Sequence, residues 1–96
     1  MKGKIKQKLK ALGVQLSAVV QIGKEGMSDT LIDSTREALQ ARELIKVHVL
    51  PNAVLDTKET IEALADMLGA EVIQVIGRYG ILFKKKKEKS RFEDIL

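Results

Sequence analysis

One stretch, Gln21-Ile22-Gly23-Lys24-Glu25-Gly26-Met27-Ser28-Asp29, constrains this chain more than any other. An apolar run, Ala18-Val19-Val20, leads into it, and a helical pattern from about Ser28 to Ala41 leads out. Ser17 to Ile22 is short, rich in Val and Ala, and ended by glycine, which predicts a strand. Ser28 is a good N-cap, and Asp29 suits the positive end of a helix dipole. The unit is therefore strand, tight loop, helix. Two glycines three apart let a backbone turn sharply and approach a ligand closely, because neither carries a Cβ. The loop then delivers the chain to a helix start, where unpaired N–H groups favour an anion. Lys24 adds a full positive charge.

The segments around this unit build a sheet for it. Ile5, Leu9 and Leu12 lie on one helical face, so a helix is predicted from about Lys4 to Leu12, with Gly13 as its C′ residue. Lys4, Lys6 and Lys10 should then point outward, with Lys2 and Lys8 flanking the core. In the helix after the loop, Met27, Leu31, Thr35 and Ala38 form the buried side, with Ile32 and Leu39 beside them. From Glu43 to Leu50, Ile45, Val47 and Val49 alternate with Lys46 and His48, which predicts a strand with one polar face. Pro51-Asn52 ends it. Asp56 and Glu59 are spaced as a capping box, and Ile61, Leu64, Ala65 and Leu68 mark a third helix closed by Gly69. Glu71–Ile76 and Tyr79–Lys84 read as two strands joined by a two-residue turn, glycine first, with Arg78 at its tip.

The order αβαβαββ implies an α/β fold: a single domain with a four-stranded mixed sheet. Right-handed strand–helix–strand links would place their helices on one face. The domain is expected to span residues 1–84, and residues 85–96 to form a basic, mobile tail. At 96 residues, one modest core is the limit.

Composition removes several function classes. There is no cysteine, hence no disulfide, thiol catalyst or Cys-based zinc site, and the single histidine argues against most transition-metal sites. No cofactor is expected. Asp29, Asp33 and Glu37 form a stripe that reads as a solvated face tempered by Arg36. No apolar run approaches the roughly 18 residues of a membrane span, and the amino terminus lacks the apolar stretch of a secretory signal. A soluble cytoplasmic protein without a membrane partner is expected. The net charge of +4 is unevenly spread: residues 1–10 carry +5, residues 11–83 carry −4 and residues 84–96 carry +3. Basic ends on an acidic body suggest arms that meet a polyanion.

The loop lacks the Gly-Lys-[Ser/Thr] ending of a P-loop and the third glycine of a dinucleotide fingerprint. KH domains use a Gly-x-x-Gly loop to clamp a single-stranded nucleic-acid backbone. Gln21 to Ser28 resembles the hallmark loop of the CRM (chloroplast RNA splicing and ribosome maturation) family, whose stand-alone bacterial members are called YhbY-like proteins. Ala11-Leu12-Gly13 resembles the end of that family's first helix, and Arg42-Glu43-Leu44-Ile45-Lys46-Val47 its "RELVKV" strand entry. Glu71 to Arg78 resembles its "VVQVIGR" hairpin. Phe83 stands where the family more often has tyrosine, and the lysine run and the tail beyond it fall outside the pattern.

The resemblance implies a non-enzymatic RNA-binding module, with a fold similar to the C-terminal domain of a bacterial translation initiation factor. It implies association with precursors of the large ribosomal subunit, with their ribosomal RNA and ribosomal particles as partners. The expected RNA contacts are Gly23, Lys24, Glu25, Gly26, Met27 and Ser28 in the loop. Lys4, Lys6, Lys8 and Lys10, Arg78, and Lys84 and Lys85 would extend them. The chain is expected to act as a monomer. Tyr79, Phe83 and Phe92 are its only Phe, Tyr or Trp residues, so recognition is expected by backbone and shape. The alternative is a protein-interaction module docking on a ribosomal protein or assembly factor, with basic ends that only solubilise it.

Overall fold

The computed structural model describes residues 2–96. Its elements are α1 (Gly3–Val14), β1 (Ala18–Ile22), α2 (Asp29–Arg42), β2 (Leu44–Val49), α3 (Thr57–Leu68), β3 (Glu71–Ile76) and β4 (Tyr79–Phe83). The strands pair in the order β1-β2-β4-β3. β1 is parallel to β2, and β4 is antiparallel to both of its neighbours, so the sheet is mixed as expected.

Alternation along the strands splits the core in two. Val20, Ile22, Ile45, Val47, Val49 and Leu82 face α2 and α3, where they meet Leu39, Ile61, Leu64 and Leu68. Leu44, Ile73, Ile81 and Phe83 face the other way and meet Leu9 and Ile5 of α1. Both halves need close backbone approach. A Cβ on Gly80 would sit 2.5 Å from Ile61 Cδ1, and one on Gly13 would sit 2.6 Å from Ile81 Cγ2.

Gly13 is therefore not the C′ residue that its place in the sequence suggested. It lies inside α1 and is buried against the sheet, while Leu12 is exposed. The contact stripe runs Ile5, Leu9, Gly13, which turns the buried face toward Lys6 and Lys10. Those two lysines are half-buried, whereas Lys2, Lys4 and Lys8 are exposed. This reverses the expected roles of Lys6 and Lys10 on one side and Lys2 and Lys8 on the other.

The caps follow the sequence closely. Ser28 Oγ accepts from Leu31 N at 3.2 Å, and Asp56 Oδ2 accepts from Glu59 N at 2.9 Å. Gly69 takes φ +65°, with Ala70 N donating to Ala65 O and Gly69 N to Asp66 O, a Schellman closure of α3. Gly77 at φ +56° begins the two-residue turn between β3 and β4.

Residues 85–96 do not trail free; they pack on the body. Phe92 meets Phe83 edge-on, with ring centroids 5.4 Å apart. The anchor is Glu43, the C-cap of α2, at φ +65° and fully buried. Its carboxylate accepts from Lys86 N, Ser90 Oγ and Arg91 N, and its carbonyl accepts from Lys84 N. Burial pushes this carboxyl's pKa up, but the hydrogen bonds from Ser90, Arg91 and Lys86 outweigh burial and hold it below its ordinary value.

Candidate functional site

The loop sits where three strand ends converge. Parallel pairing of Ile22 with Val49 brings the C-terminal ends of β1 and β2 together. Antiparallel pairing of His48 with Tyr79 brings the β3–β4 turn to the same end. β1 is an edge strand, so the loop opens beside an unpaired sheet edge. Gly26 N donates to Gly23 O at 3.0 Å and closes a β-turn whose two central residues, Lys24 and Glu25, are exposed. Gly26 has φ +68°, a conformation that glycine adopts without steric cost. Gly23 has ordinary φ, and a Cβ there would only touch Leu50 Cδ1 at 3.6 Å. Of the two glycines, the fold requires only the second.

A shallow open groove runs from this turn between β1 and the first turns of α2. Gln21, Lys24, Glu25, Ser28, Thr30 and Ser34 supply its polar lining, in which the Glu25 carboxylate is the one acid. Ser28 caps α2, and the unpaired N–H groups of the first turn lie at the loop end of the groove. Hydroxyls, a side-chain amide, a lysine and a helix start match the oxygens of a sugar–phosphate chain. Met27, expected both to contact RNA and to reach the core, packs partly against the core.

Arg78 lies at the turn, but its side chain folds back. Nε donates to Val49 O at 2.8 Å, and one terminal nitrogen to Leu50 O at 2.7 Å and Ala53 O at 3.3 Å. It pins the segment after β2 that adjoins the loop: a Cβ on Gly23 would meet Leu50, and one on Gly26 would meet Leu55.

The remaining cations are dispersed. Lys84 follows Phe83, which pairs with Leu44 at the opposite end of β2. The loop end and the Lys84 end are thus separated by the length of β2, about 17 Å. Lys84 Nζ donates to Leu68 O at 2.7 Å and caps α3, while Lys85 pairs with Glu93 at 3.2 Å. Lys4, Lys6, Lys8 and Lys10 belong to α1, on the sheet face opposite α2. The acidic stripes Asp29, Asp33, Glu37 and Glu59, Glu62, Asp66 are exposed on α2 and α3. Among the described residues no cluster of His, Cys, Asp or Glu has the arrangement of a metal site, and no helix is long and apolar enough to cross a membrane.

Two features escaped the sequence reading. One is Glu43 as the tail anchor: its positive φ and its partners more than forty residues away leave no local signal. The other is the ring pair His48–Tyr79, stacked with centroids 4.2 Å apart and planes 11° apart. Strand alternation placed His48 outward, but the register that sets it opposite Tyr79 could not be read from either strand alone.

Comparison with known proteins agrees with this architecture. The family model described as CRS1 / YhbY (CRM) domain matches residues 1–84. The "Probable RNA-binding protein YqeI" of Bacillus subtilis is 40% identical over 91 residues, covering 95% of each chain. The "RNA-binding protein" of Haemophilus influenzae is 35% identical over 86 residues, 88% of this chain and 86% of its own. The solution structure of the hypothetical protein SAV1595 from Staphylococcus aureus superposes with a TM-score of 0.79 at 38% identity, covering 94% of both chains.

Proposed function

This chain belongs to the CRS1 / YhbY (CRM) domain family, and from that premise we propose that it is a cytoplasmic RNA-binding protein that acts on precursors of the large ribosomal subunit. It binds RNA and does no chemistry on it. The observation that carries the reading is the Gly23–Gly26 turn, which presents Lys24 beside a polar groove that ends at the start of α2. A phosphate lies against the Gly23–Gly26 backbone with Lys24 paired to it, and the following sugar–phosphate units run past Ser28 and Thr30. Names given to relatives in two bacteria support RNA as the ligand.

The dispersed cations refine the reading. α1 supplies lysines on one face of the sheet, and Lys84 and Lys85 lie at the far end. They serve a large folded RNA that wraps the domain better than a short strand confined to the groove. Arg78 shapes the loop's surroundings, with Nε and one terminal nitrogen engaged by backbone carbonyls.

Crosslinking in cells, followed by sequencing of the bound RNA, tests the reading. Crosslinks should concentrate in large-subunit ribosomal RNA, and affinity for that RNA should fall steeply with salt, because releasing condensed counterions gains less entropy as the bulk salt rises. Crosslinks spread over messenger RNA, or affinity insensitive to salt, would reject it. Leu12, Leu16 and Val19 are exposed and line one surface depression, which favours a protein contact as the second reading. Binding to ribosomal particles that survives high salt without any affinity for naked RNA would select that one.

A further inference from the structure

The half of the sheet that α1 leaves uncovered carries a second surface. α1 covers Leu44, Ile73, Ile81 and Phe83. Its last contacts are Gly13 against Ile81 and the Val14 carbonyl, which accepts from Lys46 Nζ at 3.0 Å. Beyond that line, toward the loop end, one row crosses all four strands. Register places Gln21 beside His48, His48 beside Tyr79, and Tyr79 beside Ile76. Gln21, Tyr79 and Ile76 are exposed and His48 is half-buried.

We propose that this row, centred on the stacked pair His48–Tyr79, is a platform on which a base of single-stranded RNA stacks. The proposal rests on the RNA-binding reading and adds a base contact to its backbone contacts. Three observations select a base as the occupant. First, two rings held nearly parallel at 4.2 Å cover one face of each other and leave the outer faces of the stack, that of the exposed Tyr79 among them, for an unpaired base to extend. Second, Lys46 Nζ lies 5.1 Å from the Tyr79 ring centroid, and no residue of the row is acidic, so the surface suits an anionic chain. Third, Gln21 precedes Gly23 by two residues, about 7 Å along the strand, so the platform adjoins the proposed phosphate contact. Phe83 and Phe92 are spent on each other, which leaves Tyr79 as the exposed aromatic ring among the described residues.

The chain has one tyrosine and no tryptophan, so its tyrosine fluorescence reports on Tyr79 alone. The full chain is titrated with a ten-nucleotide uridine-rich RNA and with an abasic ribose–phosphate oligomer of equal length. The base-bearing oligomer should change the tyrosine emission and bind more tightly, and the abasic one should leave the emission unchanged. Tyr79→Ala and His48→Ala should each weaken binding about tenfold at an unchanged salt slope, while Tyr79→Phe should retain affinity. Equal affinity for both oligomers with unchanged emission would overturn the platform and leave the backbone reading standing. No binding of either oligomer, or of ribosomal RNA, at low salt would overturn both. The comparison of oligomers needs no variant, so a Tyr79→Ala chain that failed to fold would not shield the proposal.

Discussion

Arg78 and Leu50 are joined by a 2.7 Å hydrogen bond from a guanidinium nitrogen to a backbone carbonyl. The bond ties the β3–β4 turn to the segment after β2, and a Cβ on Gly23 would touch the Leu50 side chain. A residue suited by charge to RNA is thus built into the wall behind the loop.

That relationship separates structure from binding at Arg78. The fork reaches three carbonyls, those of Val49, Leu50 and Ala53, and an ammonium cannot reproduce its geometry. Arg78→Lys should therefore destabilise the domain by about 1.5–3 kcal/mol, the range for hydrogen bonds to a charged group. RNA affinity should fall, but the slope of log affinity against log salt should stay within the error of the wild type. A slope reduced by about one unit with unchanged stability would make Arg78 a phosphate contact instead.

The two loop glycines should behave differently. Gly23→Ala meets only an ordinary contact with Leu50, so its stability should stay within about 0.5 kcal/mol of wild type. Gly26→Ala forces a Cβ into φ +68° and should cost about 1 kcal/mol. Gly23→Asp should fold and yet bind RNA at least tenfold more weakly, because a carboxylate would face the phosphate. Chemical denaturation paired with a filter-binding titration separates the two effects. Full affinity in a folded Gly23→Asp chain would remove the loop from the site.

How much of this could be read in advance differs by kind of signal. Caps and turns were legible because their chemistry is local: Ser28, Asp56, Gly69 and Gly77 each act within a few residues. The αβαβαββ order followed from alternation and helical spacing. Features set by tertiary contact were not legible. Gly13 looks like a helix terminator until Ile81 is seen against it. Arg78 looks like an exposed tip until the carbonyls of the β2–α3 segment close around it. The tail looked mobile because its anchor, Glu43, lies in another part of the chain.

The close approach at Gly13 sets two known effects against each other. Gly13→Ala should gain up to about 1 kcal/mol of helix propensity. It should lose about 1–3 kcal/mol to overpacking, because the new Cβ would lie 2.6 Å from Ile81 Cγ2 and Ile81 is buried at 1% exposure. Net destabilisation is expected. Adding Ile81→Val, which removes Cδ1, the second-nearest atom at 2.8 Å, should recover part of the loss in a double-mutant cycle. A Gly13→Ala chain more stable than wild type would show that α1 can shift over the sheet.

Glu43 makes tail docking sensitive to acid. Its folded pKa is depressed, since hydrogen bonds from Ser90, Arg91 and Lys86 outweigh burial. A depressed carboxyl contributes stability that is present above its unfolded-state pKa and is lost as pH falls through the folded value. Stability and tail docking should therefore hold at neutral pH and weaken below the ordinary glutamate range. Glu43→Gln keeps the shape but removes the charge, so it should be less stable than wild type at pH 7, and the gap should narrow toward pH 3. Glu43→Ala should cost about 1–3 kcal/mol, with amide exchange accelerating first at Lys86 and Arg91, whose N–H groups donate to the carboxylate. Denaturant midpoints of wild type and Glu43→Gln measured across that pH range decide the matter: parallel curves would mean that Glu43 anchors the tail by shape alone.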